Sequence, residues 1–164
     1  MKLIGICFYY ENLNKKNFVL LNSNAGIGDD LLKPFNHLYV SGQKKGIEFA
    51  TLDMREFDDF DGFIFFDFPR LKNKLAYMAL NSKKPKFLVT FESEVIKKDN
   101  WDINNHIHFE KIFTWKDDII DNKKYFKLNF SHELPKQIDK DLSNKEKLCT
   151  MISSNKKVNH PLEL

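Results

Sequence analysis

Glu92 and Glu94 are the carboxylates whose placement best suits catalysis. They follow the apolar run Lys86–Phe91, and in an extended chain Thr90, Glu92 and Glu94 share one side. A carboxylate at the end of a strand, beside a crevice, is well placed to act as a general base. The competing reading pairs either glutamate with Lys97 or Lys98 at the surface. Gly26-Ile27-Gly28 ahead of Asp29 puts two glycines before a helix start, but Leu31 stands where a dinucleotide fingerprint has its third glycine, so a capped loop is favoured. Asp58-Asp59-Phe60-Asp61 has the Asp-x-Asp spacing of a metal site, yet it precedes an apolar run and reads as a solvated turn. His106 and His108 point apart on a helix and have no third ligand at a compatible offset, so no metal is expected.

Short apolar runs alternating with amphipathic stretches must position these groups. Strands are expected at Lys2–Tyr9, Ile47–Leu52, Gly62–Asp67, Lys86–Phe91, Lys111–Thr114, Tyr125–Leu128 and Leu148–Ser153, each rich in Ile, Val, Leu or Phe, as in strands covered on both faces. Phe63, Phe65, Phe66 and Phe68 fall at strand spacing and read as core. Helices are expected at Asp29–Lys45 and Arg70–Asn81, with weaker ones at Asn104–Phe109 and Lys116–Asp121. This order predicts an α/β, Rossmann-like parallel sheet with right-handed crossovers and helices on both faces. Ligands of such sheets sit at the carboxyl ends of the strands. The residues to inspect are therefore Tyr10, Glu11, Asp53, Asp67-Phe68-Pro69, Glu92-Ser93-Glu94, Trp115-Lys116-Asp117 and Ser153-Ser154-Asn155.

The chain has 164 residues, 16 of them Phe, enough for one compact domain and too aromatic for a disordered chain. The net charge is +3, and of 26 basic residues only Arg55 and Arg70 are arginine. Scattered lysine pairs mixed with acids give a solvated surface, and no nucleic-acid partner is expected. No stretch is apolar for the roughly 18 residues a membrane span needs. Cys7 and Cys149 lie in apolar runs and read as small hydrophobes rather than a disulfide. Met1-Lys2 and the run after it have neither the charged start nor the cleavage site of a signal peptide. The expectation is a cytoplasmic protein, with a peripheral place at the inner membrane surface left open.

Several runs together resemble the N-terminal half of bacterial α-1,3-fucosyltransferases of glycosyltransferase family 10. They are Asp29-Asp30-Leu31-Leu32-Lys33-Pro34-Phe35, Phe65-Phe66-Asp67-Phe68-Pro69, Thr90-Phe91-Glu92-Ser93-Glu94, Lys111-Ile112-Phe113-Thr114-Trp115-Lys116-Asp117-Asp118 and Met151-Ile152-Ser153-Ser154-Asn155-Lys156. The resemblance implies one lobe of a GT-B enzyme: residues 1–140 as the Rossmann-like acceptor-side lobe, and 141–164 as linker and first strand of a donor-binding lobe. It implies inverting transfer of fucose from GDP-fucose, the donor substrate, to a hydroxyl of an acceptor oligosaccharide, with no cofactor and no bound metal. Glu92 matches the family's general base, with Glu94 as the fallback. Ser153, Ser154, Asn155 and Trp115 are implied to bind substrate. The family's diphosphate-binding Arg, Glu and Lys lie further along the missing donor-binding lobe. The isolated chain is therefore expected not to turn over GDP-fucose, since that electrostatic term often dominates catalysis. Two other readings compete: a non-catalytic lobe that binds a glycan or a partner, and, ranked last, a flavodoxin- or receiver-like regulatory domain.

Overall fold

The computed structural model describes residues 1–22 and 31–130, together with 137, 141, 143–147 and 149. The chain divides into two units, Met1–His132 and Glu133–Leu164. The first carries six parallel strands: β1 (Lys2–Phe8), β2 (Ile47–Thr51), β3 (Gly62–Phe66), β4 (Lys86–Val89), β5 (Lys111–Thr114) and β6 (Tyr125–Lys127). Their order across the sheet is β2-β1-β3-β4-β5-β6, and every neighbouring pair is parallel. The chain therefore forms the α/β, Rossmann-like parallel sheet that its alternating pattern predicts. The winding direction reverses between β1 and β3, which opens the crevice where doubly wound sheets hold ligands.

Alternation along each strand builds two separate cores. Cys7, Phe63, Phe65, Leu88 and Ile112 face one side, under α3 (Lys74–Asn81). Ile6, Phe8, Phe49 and Phe66 face the other, under α1 (Phe18–Leu21) and α2 (Lys33–Lys44). The four phenylalanines at 63, 65, 66 and 68 are all buried, as their spacing predicts. Phe8 and Phe66 stack at 4.7 Å and Phe66 and Phe91 at 5.8 Å, while Phe35 meets both Phe8 and Phe66 edge-on at 5.0 Å. Burial pushes the Cys7 thiol up to about 12, which leaves it unreactive near neutral pH.

The helices differ from expectation at their ends. Pro34 occupies the first turn of α2, where its missing N–H costs nothing, and Gly46, at φ +72, ends that helix in the left-handed conformation glycine tolerates. α3 starts at Lys74 rather than Arg70, because the Asn73 side chain caps it by accepting from the Ala76 N–H at 3.1 Å. Arg70 is thereby left in the loop after β3. The segments expected as short helices near 104–109 and 116–121 are 3-10 turns, Ile103–His108 and Asp117–Ile119. The periodicity did not reveal α1, whose Asn17 enters at φ +54 and exchanges hydrogen bonds with Thr51 at 2.7 and 2.9 Å.

The expected strand Leu148–Ser153 lies almost wholly outside the described residues. Cys149, described within it, is exposed and in no strand, so it is not the buried hydrophobe its neighbours suggest. Gly26-Ile27-Gly28 and Asp29 also lie outside the described residues. Among the described residues no helix is long and apolar enough to cross a membrane.

Candidate functional site

The carboxyl edge of the sheet gathers its chemistry around the ends of β1, β3 and β4. β3 runs out at Phe66, and Asp67 follows at φ +62, in the left-handed region that a short polar side chain tolerates better than most. That turn sends the Asp67 carboxylate across to the chain leaving β4. Its Oδ1 accepts from the Phe91 N–H at 2.7 Å, the Glu92 N–H at 3.0 Å and the Asn100 amide at 2.6 Å. Burial pushes the Asp67 carboxyl above its ordinary range, against the pull of those donors and the Lys97 ammonium.

Glu92 is held from both sides of its backbone. Its N–H is on Asp67, and its carbonyl accepts from the Asn100 amide at 3.3 Å and the Trp101 indole at 3.1 Å. The Trp115 indole donates to the preceding carbonyl, Phe91 O, at 3.2 Å, and the two tryptophans meet edge-to-face at 5.4 Å. This frame is a local solution to a general problem: a strand end leaves carbonyls without ladder partners, and half-buried ones need donors. With its backbone fixed, Glu92 reaches across to the segment leaving β1, where its Oε1 accepts from the Tyr10 hydroxyl at 3.2 Å. Burial, followed by the Glu92 charge, holds the Tyr10 phenol above its ordinary value.

Asn100 is fully buried and links this corner to the far strand. Its side-chain oxygen accepts from the Phe68 N–H at 2.6 Å, and its carbonyl lies 2.8 Å from His106 Nε2. His106 Nδ1 in turn lies 3.0 Å from the Tyr125 hydroxyl. His106 is thus a packed structural residue. Among the described residues no group of three or more His, Cys, Asp or Glu could hold a metal ion.

The two glutamates separate. The strand ends at Val89 and the chain turns over 93–97, so the extended alternation that would align Thr90, Glu92 and Glu94 breaks off. Glu94 is exposed and lines a shallow depression of about 280 Å³ with Lys98, Asp99, Trp101 and Asp102. Lys97, an expected partner for either glutamate, pairs instead with Asp99. Trp115 stands beside Glu92, with its N–H already committed to Phe91. Ser153, Ser154 and Asn155 lie outside the described residues. The Asp58–Asp61 run is structural: Asp61 Oδ2 accepts from the Leu3 N–H at 2.7 Å.

The sequence pattern pointed to neither Tyr9 nor Asn100, offered Lys97 only as a surface partner for Glu92 or Glu94, and placed Arg70 inside a helix. Lys97 is buried, with its ammonium 4.7 Å from the Tyr9 ring centre, and the Arg70 guanidinium lies over the same ring at the same distance. The run Phe8-Tyr9-Tyr10 at a strand end was the one available signal for this aromatic floor. The strand order around the β1/β3 crevice also suits a receiver-like domain, but the Asp67 carboxylate is buried and already takes three donors, which leaves it poorly placed as a phosphoacceptor. Comparison with known proteins finds no matching family model, no matching curated protein and no matching solved structure.

Proposed function

We propose that this domain is the acceptor-side lobe of an inverting, metal-independent glycosyltransferase of the fucosyltransferase type, with Glu92 as its general base. The supporting observation is the Glu92 carboxylate, which follows β4 at the carboxyl edge of the sheet and accepts from the Tyr10 hydroxyl, in a corner that also gathers Tyr9, Trp101 and Trp115. Aromatic faces suit the apolar faces of sugar rings, while a carboxylate suits their hydroxyls. A sugar hydroxyl is a weak nucleophile at neutral pH. A carboxylate within about 3 Å takes its proton as the oxygen bonds to the anomeric carbon. In the same step the bond from that carbon to the diphosphate breaks, GDP leaves, and the configuration inverts. The Tyr10 hydroxyl occupies one lone pair of Oε1 and orients the carboxylate, leaving its other positions for substrate.

On this reading GDP-fucose is held by a donor-binding lobe, with Ser153, Ser154 and Asn155 as donor-side residues, and Glu94 flanks the acceptor from the rim. The test follows tryptophan fluorescence and thermal midpoint while the chain is titrated with neutral acceptor oligosaccharides and, separately, with GDP. A saturable response to an oligosaccharide, retained in Glu92→Gln, and no response to GDP beyond that to inorganic phosphate are expected, since only a ligand of the folded state raises the midpoint. A response to GDP with none to any oligosaccharide overturns the assignment. When a donor-binding lobe is supplied, Glu92→Gln lowers fucose transfer by roughly 10²–10⁴-fold. An unchanged rate removes Glu92 from the chemistry.

A further inference from the structure

The same crevice carries a cation that none of these roles uses. Arg70 sits in the loop between β3 and α3, exposed, with its guanidinium 4.7 Å from the Tyr9 ring centre and one N–H on the Tyr9 hydroxyl at 3.2 Å. A guanidinium has five N–H donors, and this contact uses one. Most neighbouring charges are already matched: Lys97 pairs with Asp99, and Lys72 lies 3.9 Å from Glu11, whose charge also acts on Arg70 without an ion-pair contact. Asp67 spends Oδ1 on three donors, and Glu92 holds Tyr10. Among the described residues Arg70 makes no ion pair with a carboxylate. Its place also matters. It follows β3 at the β1/β3 reversal, and the Tyr9 and Tyr10 rings, 4.9 Å apart, connect it to Glu92. In a surface whose positive charge is otherwise almost all lysine, the one arginine beside Tyr9 supplies the planar fork that carboxylates and phosphates fit.

We infer that Arg70, seated on Tyr9, is a subsite for an anionic group on the sugar ligand, a carboxylate or a phosphate, so that the preferred acceptor is an acidic sugar. This rests on the reading of the crevice as a sugar site. The acid binds at the Arg70 end, the ring lies against Tyr10, since Arg70 and Lys97 both lie over the Tyr9 ring, and a hydroxyl at the other end reaches Glu92. The arrangement also keeps the ligand's negative charge away from the Glu92 carboxylate.

The chain supplies its own control, because it has only two arginines and Arg55 is tied to Glu48 at 2.5 Å. Side-chain Nε–H resonances of ¹⁵N-labelled arginine therefore give two signals, to be followed against glucose, glucuronate and inorganic phosphate. The Arg70 signal is expected to move saturably with glucuronate and with phosphate while Arg55 stays. Glucuronate should bind about tenfold tighter than glucose, and Arg70→Gln should remove that advantage. Arg70→Lys keeps the charge without the fork and should recover only part of it. Equal binding of glucose and glucuronate, or equal movement of Arg55, overturns the inference while leaving the sugar-site reading standing. No response to either sugar overturns that reading as well. Movement of Arg70 by phosphate with neither sugar bound shows an anion contact that serves no sugar, and overturns the inference together with the sugar reading.

Discussion

Replacing Asp67 by alanine removes the one acceptor that ties β3 to the chain leaving β4, and the cost can be worked from its three donors. The Asn100 amide is fully buried and has no route to water, so losing its 2.6 Å partner costs about 1–3 kcal/mol. The Phe91 and Glu92 N–H groups belong to half-buried residues, rehydrate in part, and add about 1 kcal/mol. A left-handed alanine at φ +62 costs about 1 kcal/mol more than aspartate, whose short polar side chain tolerates that region. Relief from burying a carboxylate returns a share of this. The net expectation is a loss of about 3 kcal/mol, against a stability of about 5–15 kcal/mol for a domain of ordinary size. Urea unfolding of the full chain measures it through Trp101 and Trp115, its only two tryptophans, which sit at this corner. Asp67→Gly separates the two causes: it loses the same acceptor but not the backbone conformation, and should be about 1 kcal/mol less damaging than Asp67→Ala. A loss below about 1 kcal/mol for Asp67→Ala would refute the claim that this carboxylate organises the site. Equal losses for the two variants would refute the left-handed strain.

Two further outcomes are expected. Because burial holds the Asp67 carboxyl above its ordinary range, the folded state keeps this proton at pH values where the unfolded state has lost it. Its contribution is therefore fullest below the ordinary carboxylate value, about 4, and falls as pH rises through the raised folded value. Asp67→Asn keeps an acceptor without the charge, so wild-type stability relative to this variant should fall between pH 4 and 7; a rise would mean that the three donors outweigh burial. At Gly5 in β1, an added methyl would meet Leu52 Cδ2 and Phe63 Cδ1 at 2.6 Å, and Gly5→Ala should cost about 1–3 kcal/mol in the same unfolding assay. An unchanged midpoint would show that the core between β1 and β2 yields freely.

Much of the fold was legible because its causes are local. The apolar runs at Lys2–Phe8, Ile47–Thr51, Gly62–Phe66 and Lys111–Thr114 mark their own strands, since a doubly covered strand needs apolar residues on both faces. Gly46 stops α2 for a reason written in one residue, and the Phe63–Phe68 stretch declares itself as core. Helix starts were less readable: Asn73 outcompeted an apolar pattern beginning at Arg70, because a satisfied cap outweighs one more weakly packed turn.

The sequence by itself determined a parallel α/β sheet, its two cores and a carboxylate at the end of the fourth strand. Tertiary structure decided what surrounds that carboxylate. The Tyr10 hydroxyl reaches Glu92 across 82 residues, Asp67 reaches Asn100 across 33, and Arg70 reaches Tyr9 across 61. No periodicity records such pairings, because they follow from the strand order β1-β3-β4, which brings distant loops to one edge. Hydrophobic pattern is a property of neighbours in sequence, whereas a site is a property of neighbours in space.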